Sequence, residues 1–155
     1  MKYYFYYETP IGWITLEENG EGITGLSFGK AVPKNGGNLE ETPLLANAAA
    51  QLEEYFQGKR RDFELKLIPK GTPFQVGVWQ ALQEIPYGET RSYKEIAQGV
   101  GSGKGFRAVG MANNRNPIPI FIPCHRVIGA NGSLVGYGGG LPVKVHLLDL
   151  EKDHG

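Results

Sequence analysis

The pattern of the chain changes from strand-like to helical at about Pro69-Lys70-Gly71. Before this point, short segments rich in aromatic and β-branched residues are separated by turn residues, and after it apolar residues recur at helical spacing behind Thr or Ser caps. The 155-residue sequence therefore predicts an α+β protein of two domains, 1–70 and 71–155.

The first domain is predicted to be a small antiparallel sheet with one helix. Its predicted strands are residues 3–7, 12–17 and 22–28, with 63–67 as a candidate for a last one. Asn19-Gly20 is a hairpin turn signal. Thr42-Pro43 combines an N-cap with proline at the first helical position, and the helical pattern continues up to Gly58.

The second domain is predicted to be mostly helical. Thr72 to Gln75 forms a capping box that predicts a helix to about Glu84, and Ser92 to Glu95 forms a second box, which predicts a short helix through Ala97. The glycine-rich run 99–103 stops that helix, and residues 106–114 can form another. Two short helices around such a turn predict a helix-turn-helix, although pairs of this kind are also common in purely structural roles.

The only cysteine of the chain lies in Ile122-Pro123-Cys124-His125-Arg126-Val127. A single thiol cannot form an internal disulfide. His125 and Arg126 can both stabilise a thiolate, which favours a reactive nucleophile over a buried cysteine that acts as a small hydrophobe. In an extended segment, neighbouring side chains point to opposite sides, so we expect His125 to act on the thiol through a bridging water.

A last predicted helix begins near Pro142 and places a carboxylate on an apolar face. Val143, Leu147 and Glu151 are spaced i, i+4, i+8. A buried Glu151 needs a partner, and His125 or Arg126 could supply it. The alternative is a solvated charge in a fraying terminal helix.

Charge and hydropathy restrict the partners. The chain has 16 basic and 16 acidic residues, but residues 71–144 carry 7 Lys/Arg against 3 Asp/Glu, a bias that permits a polyanionic partner. No apolar run approaches the roughly 20 residues that span a bilayer, and Met1 opens a strand pattern rather than a signal peptide. We therefore expect a cytoplasmic protein with no membrane partner, and a monomer.

Several motifs in order resemble the O6-alkylguanine-DNA alkyltransferases, also called methylated-DNA-protein-cysteine methyltransferases. The resemblance covers residues 71 to 151, while the amino-terminal half matches only in size and pattern. The motifs are Gly71-Thr72-Pro73-Phe74-Gln75, Ile85-Pro86-Tyr87-Gly88-Glu89-Thr90, Ser92-Tyr93, Arg107-Ala108-Val109-Gly110, Arg115-Asn116-Pro117-Ile118-Pro119-Ile120, Ile122-Pro123-Cys124-His125-Arg126-Val127 and Gly136-Tyr137.

The resemblance implies a reaction and a set of reacting residues. The family transfers the alkyl group of O6-alkylguanine in double-stranded DNA to its own cysteine, once and without a cofactor, after flipping the base; O4-alkylthymine is a further possible substrate. Cys124 matches the acceptor, His125 the residue that activates it, Glu151 the carboxylate that orients His125, and Asn116 the brace of the active-site turn.

The resemblance also implies a DNA surface and a base pocket. Arg107 matches the finger that fills the gap left in the duplex, and Tyr93 the aromatic residue that crowds the target phosphate. The other implied DNA-binding residues are Ser92, Lys94, Ala108 and Arg115. The carbonyls of Cys124 and Val127 would accept from the guanine amino group, and Tyr137 with the backbone of Gly138 would close the pocket.

Three departures from the family pattern stand out. The amino-terminal half has no Cys and no His, so the structural zinc site of some members cannot form there with those ligands. Gly138 stands where some relatives have serine, and Val145-His146 replaces a usual aromatic residue.

Two other functions stay open. One is a non-catalytic lesion binder of the alkyltransferase-like kind, against which the presence of Cys124 argues. The other is a hydrolase with a Cys-His-Glu triad.

Overall fold

The computed structural model describes most of the chain, namely residues 1–34, 36–101, 105–129, 131–132, 134 and 137–155. The chain divides into two compact units, Met1–Lys70 and Gly71–Gly155. Part of the predicted glycine-rich turn (102 and 103) and Gly136 of the last motif lie outside the described residues.

The first unit is a four-stranded sheet with one helix. Its elements are β1 (Tyr3–Thr9), β2 (Gly12–Glu18), β3 (Ile23–Phe28), β4 (Asn38–Leu39) and α1 (Pro43–Phe56). The strand order is β3-β2-β1-β4, with β1 and β3 antiparallel to β2. The predicted α+β class, with its small antiparallel sheet and one helix, is confirmed.

The core of this unit follows from the alternation of the central strand. Ile14 and Leu16 of β2 are fully buried and lie on one face of the strand, because successive side chains point to opposite faces. Leu45 and Leu52 of α1 are also buried, and α1 packs against this sheet. Thr42 caps α1 as predicted, since its Oγ1 accepts from the backbone N–H of Leu45.

Two details of the sheet differ from the prediction. Residues 63–67 form no strand: Leu67 makes only an isolated parallel bridge to Ile23, because the chain touches the sheet edge at one point and then leaves it. The strand β4 was not predicted, and it pairs in parallel with β1. Two residues carry no readable alternation, so only the pairing itself reveals this strand.

The described residues of the second unit form four α-helices, one turn of 3₁₀ helix and two very short strands. Its elements are α2 (Pro73–Gln83), β5 (Arg91–Ser92), α3 (Tyr93–Gly99), α4 (Gly105–Asn114), β6 (Val127–Ile128) and α5 (Leu141–His154). Both predicted capping boxes are present, with Thr72 capping α2 and Ser92 capping α3. None of the described helices is long and apolar enough to cross a membrane.

Three contacts bring the functional segments of this unit together. The helices α3 and α4 pack against each other. The indole Nε1 of Trp79 in α2 donates to the carbonyl of Ala112 in α4 over 2.8 Å. The strands β5 and β6 pair in parallel, with Ser92 opposite Ile128, so the start of α3 lies beside the segment that follows Cys124.

Candidate active site

The segment that leads to the cysteine is a buried, braced turn. Every residue from 118 to 127 is buried. The side chain of Asn116 holds the turn at both ends: Nδ2 donates to the carbonyl of Ile122 over 2.8 Å, and Oδ1 accepts from the N–H of Ile118 over 3.0 Å. Ile120 within it has φ 74°, a left-handed conformation that costs a β-branched residue energy.

Cys124 lies in one turn of 3₁₀ helix formed by Cys124–Arg126, so the predicted extended segment is wrong. Pro123 ends the preceding segment, and the N–H of Val127 donates back to the carbonyl of Cys124. In such a turn successive side chains are about 120° apart. His125 and the thiol therefore still point in different directions.

The thiol of Cys124 is almost completely buried, at 4% exposure. Burial raises its pKa to about 11, although Asn116, the Lys144 ammonium and the Tyr137 hydroxyl act in the opposite direction. At neutral pH the resting group is therefore a protonated thiol. A reaction at this sulfur needs a base that removes the proton as the bond forms.

His125 is fully buried and is oriented by a carboxylate. Its Nε2 lies 2.6 Å from Oε2 of Glu151. Burial lowers the pKa of His125 despite the opposing effect of Glu151, so the ring rests neutral. Because an ionised carboxylate only accepts, Nε2 carries the proton and Nδ1 is the basic nitrogen. Nδ1 is buried and has no hydrogen-bond partner among the described residues.

Glu151 is 1% exposed and is surrounded by donors. Arg126 donates to it from Nε over 2.8 Å and from a terminal nitrogen over 3.0 Å, and the N–H of Gly88 donates over 3.2 Å. Burial raises the pKa of Glu151, but the hydrogen bonds and charges of His125 and Arg126 outweigh it and hold the pKa at about 2. The carboxylate is therefore ionised, with both predicted partners engaged.

Two residues that the sequence analysis did not name belong to this cluster. Lys144 is fully buried, and its ammonium donates to the carbonyl of Val127 over 2.7 Å. Asn113 is buried on α4, and its Nδ2 lies 3.4 Å from the carbonyl of Cys124. Lys144 could have been found, because it precedes Leu147 and Glu151 by three and seven residues on the buried face of α5.

Two tyrosines lie near the thiol. Tyr93, the first residue of α3, is half-buried, and burial raises its pKa, with a smaller electrostatic contribution from the thiolate that Cys124 forms at high pH. Tyr137 is more deeply placed, and burial, then Cys124, raises its pKa as well. Both hydroxyls therefore stay protonated at neutral pH, and that of Tyr137 is placed to donate to the sulfur.

The residues predicted to bind DNA lie at the surface of the helix pair. Lys94, Arg107 and Arg115 are exposed, and Ala108 is half-buried. The Ser92 hydroxyl caps α3 by accepting from Glu95 N–H. Gly138 is exposed, so the backbone there is accessible from solvent. Among the described residues, no group of three or more His, Cys, Asp and Glu could hold a metal ion.

Two family models match nearly the whole chain. Residues 73–153 match the DNA-binding domain of 6-O-methylguanine DNA methyltransferase, and residues 2–69 match its ribonuclease-like domain. The methylated-DNA–protein-cysteine methyltransferase of Methanosarcina barkeri is 52% identical over 157 residues, 98% of each chain. The constitutive enzyme of that name from Bacillus subtilis is 51% identical, over 98% of this chain and 96% of its own.

The fold is also that of a solved structure with DNA. The crystal structure of Mycobacterium tuberculosis OGT in complex with DNA is similar to this chain, with a TM-score of 0.91 and 45% sequence identity. The match covers 99% of this chain and 94% of the M. tuberculosis chain. An O6-methylguanine-DNA methyltransferase from the archaeon Pyrococcus kodakaraensis, with 20% identity and a TM-score of 0.58, shares the fold.

Proposed function

Since the chain belongs to the 6-O-methylguanine DNA methyltransferase family, we propose that it removes the alkyl group of O6-alkylguanine from double-stranded DNA onto Cys124. It is a DNA-binding repair protein and a methylated-DNA–protein-cysteine methyltransferase. The assignment of the acceptor rests on one observation: the buried thiol of Cys124 adjoins a neutral His125 whose Nε2 is held by Glu151.

The proposed reaction is a single displacement at carbon. The sulfur of Cys124 attacks the alkyl carbon, a C–S bond forms as the C–O6 bond breaks, and the bonding electrons stay on the guanine. The guanine then takes a proton, so the products are an S-alkyl cysteine and an unmodified base. A thioether has no leaving group that water can displace, so each chain reacts once.

The proton of the thiol passes to His125 in this proposal. Nδ1 is the basic nitrogen, and the different directions of the two side chains favour transfer through one water. Glu151 stabilises the imidazolium that forms, since its carboxylate is already ionised at neutral pH. His125 and Glu151 therefore assist loss of the thiol proton during the attack on the alkyl carbon. The resting group stays a thiol.

Access of the alkyl carbon to the buried sulfur requires that the base leave the duplex. A stacked base cannot align its O6 substituent with a thiol that is 4% exposed. We assign the gap left behind to Arg107, which is exposed on α4, and rotation of the nucleotide to Tyr93. The base would then meet Tyr137 and the backbone of Gly138.

The carbonyls of Cys124 and Val127 are the proposed acceptors for the guanine amino group. The carbonyl of Val127 accepts one hydrogen bond, from Lys144, whereas that of Cys124 accepts two, from the N–H of Val127 and, over 3.4 Å, from Nδ2 of Asn113. A carbonyl oxygen has two lone pairs, so Val127 can accept again, and at Cys124 the guanine amino group would take the place of the long contact with Asn113. Binding of one damaged base to one chain needs no second subunit, and we propose a monomer that acts on DNA in the cytoplasm.

Intact mass measurement tests the transfer. After incubation with a duplex that contains O6-methylguanine, the protein should gain one methyl group per chain and no more, while the DNA loses one. A lesion binder without transfer would gain nothing. A hydrolase would show repeated turnover of a small ester or amide and would retain no methyl group, and either result would contradict the proposal.

The roles of Arg107 and Tyr93 have a separate test. Single-turnover rates of Arg107→Ala and Tyr93→Phe are compared on duplex DNA and on free O6-benzylguanine, which needs no extrusion. Both variants should lose far more rate on the duplex. Equal losses on the two substrates would reject the finger assignment, and a weaker binding with a salt slope smaller by roughly one unit would indicate a phosphate contact instead.

A further inference from the structure

Asn113 places a buried amide beside the acceptor cysteine, and the proposed reaction leaves this amide without a role. The residue is 2% exposed. Its Nδ2 lies 3.4 Å from the carbonyl oxygen of Cys124, which is a long contact for an N–H donor. Its Oδ1 is buried and accepts no hydrogen bond from the described residues. One end of the amide is therefore weakly bonded, and the other end is unpaired.

The backbone around Asn113 is anchored on both sides. The carbonyl of Ala112 accepts from the indole of Trp79 over 2.8 Å. The carbonyl of Asn113 accepts from the N–H of Asn116 over 3.4 Å, and the side chain of Asn116 braces the turn that leads to Cys124. The unpaired Oδ1 is therefore built into the site, and a buried polar atom of this kind calls for an explanation.

The alkylated base has a single group that can donate to such an acceptor. An alkyl group on O6 leaves N1 of guanine without its proton, and N3 and N7 are acceptors, so the amino group at C2 is the only N–H donor of the base. The amide NH₂ of Asn113 resembles this group, because both are planar and carry two N–H bonds. In the free protein the carbonyl of Cys124 is therefore contacted by the same kind of donor that the base brings.

Binding of the base changes which atoms of the amide are paired. When the guanine amino group takes the carbonyl of Cys124, Nδ2 of Asn113 loses its partner. If the amide stayed in place, both Nδ2 and Oδ1 would be buried and unpaired, which costs more than one unpaired atom. A half-turn about the Cβ–Cγ bond exchanges the two atoms and brings Oδ1 next to the amino group. Asn113 then accepts from the base.

We propose that Asn113 is a positioning residue that selects purines with an amino group at C2. In the free protein its Nδ2 holds the carbonyl of Cys124 toward the base, and in the complex its Oδ1 shares the amino hydrogens with that carbonyl. The preferred substrate class is therefore an O6-alkylated purine that keeps this amino group. The inference rests on the proposed function and adds to it a residue that touches no reacting atom.

The test compares two duplexes that differ only in the amino group. One contains O6-methylguanine, and the other contains O6-methylhypoxanthine, which has hydrogen at C2. The wild-type protein should react faster with the first in single turnover. Asn113→Leu keeps a branched side chain and removes both polar atoms. It should slow transfer from O6-methylguanine roughly tenfold, the effect of one hydrogen bond, and leave transfer from O6-methylhypoxanthine within about twofold of wild type.

Asn114→Leu is the matched control, because Asn114 is the next residue of α4 and is exposed. This variant should keep the wild-type ratio of the two rates. Asn113→Ala is a second variant that adds no volume, and it should reduce the ratio as Asn113→Leu does. A general effect of a substitution on duplex binding or on folding lowers both rates alike and leaves their ratio unchanged.

The selective role of Asn113 is overturned if the wild-type protein reacts equally fast with both duplexes. It is also overturned if Asn113→Leu and Asn113→Ala keep the wild-type ratio of rates, which would make Asn113 a structural residue only. The proposed function fails separately, because a wild-type chain that takes a methyl group from neither duplex would refute the reaction itself.

Discussion

The two units use buried polar side chains in different ways. In the first unit, Glu18 is buried and accepts from the hydroxyl of Thr42 and from the N–H of Gly20. Gln51 donates to the carbonyl of Glu64 and accepts from its N–H. In these contacts neutral donors link the strands, the turns and the helix. The buried side chains of Glu18 and Gln51 are both hydrogen-bonded within the fold, as expected of polar groups with a structural role.

In the second unit most of the buried polar side chains are ionisable, and they lie near a reactive atom. His125, Arg126, Lys144 and Glu151 are all buried near Cys124. Two buried atoms of this cluster, Nδ1 of His125 and Oδ1 of Asn113, have no hydrogen-bond partner among the described residues. A polar cluster with unused capacity costs stability and is retained where it has chemistry to perform. From this difference we infer that Glu18 has a structural role and that Glu151 has a role in the reaction.

The largest expected effect concerns the base. His125→Gln should slow transfer of the alkyl group by ~10² to 10⁴-fold without abolishing it, because general base assistance contributes about this much. The rate is measured in single turnover on duplex DNA. His146→Gln, an exposed histidine of α5, should react at the wild-type rate. If His125→Gln also reacted at that rate, the cluster would be structural, as in the first unit.

Glu151→Gln and Glu18→Gln compare the two carboxylates directly. Loss of the Glu151 charge leaves the guanidinium of Arg126 buried without its counter-charge, which should cost ~3 to 5 kcal/mol of unfolding free energy. Glu18→Gln loses hydrogen bonds to neutral donors, for ~1 to 3 kcal/mol. Only the first should also slow transfer. Denaturant unfolding measures the stability losses, and single-turnover kinetics measures the transfer rates. If the two variants lost equal unfolding free energy and reacted at equal rates, the two carboxylates would not differ in role.

Acid should weaken the second unit through Glu151. Its folded pKa of about 2 lies below the ordinary 4.5, so its contribution to stability is complete above about pH 4.5 and is lost as the pH falls toward 2. The difference amounts to up to about 3 kcal/mol. Unfolding free energies between pH 5 and pH 2.5 should fall less steeply for Glu151→Gln. Asp153→Asn, at an exposed carboxylate of the same helix, is the control, and identical slopes for Glu151→Gln and wild type would refute the assignment.

The smallest expected effect concerns the spent protein. Alkylation adds a methyl group inside a turn whose residues from 118 to 127 are all buried, and such overpacking costs ~1 to 3 kcal/mol. The melting temperature of the methylated protein should therefore be lower than that of the unreacted one. An unchanged or higher melting temperature would show that the pocket has room for the product.

Much of the fold could be predicted because its signals are local. Thr72 and Ser92 each begin a capping box, a motif of four consecutive residues that predicts the start of a helix. The strand β4 and the failed strand at 63–67 depend on where distant segments meet the sheet, which a short pattern does not encode. The 3₁₀ turn at Cys124 was missed because it is set by the surrounding packing rather than by its own three residues.

The candidate site could be read partly from the sequence. The sequence predicts Cys124, His125, Glu151 and Asn116 as site residues, and the structure brings them into one cluster. The sequence analysis does not include Lys144, because lysine is rarely buried and its place on the inner face of α5 shows only in the fold. Asn113 was missed because an asparagine near the end of a helix is ordinary and only the fold places it against the carbonyl of Cys124.

The central claim is that the sulfur of Cys124, and no other atom of this cluster, accepts the alkyl group. The most direct measurement is peptide mapping by tandem mass spectrometry after reaction with a duplex that carries isotopically labelled O6-methylguanine. One labelled methyl group should be found on Cys124, and Cys124→Ala should bind the duplex and carry no label. A labelled methyl group on any other residue, or labelled Cys124→Ala protein, would contradict the claim.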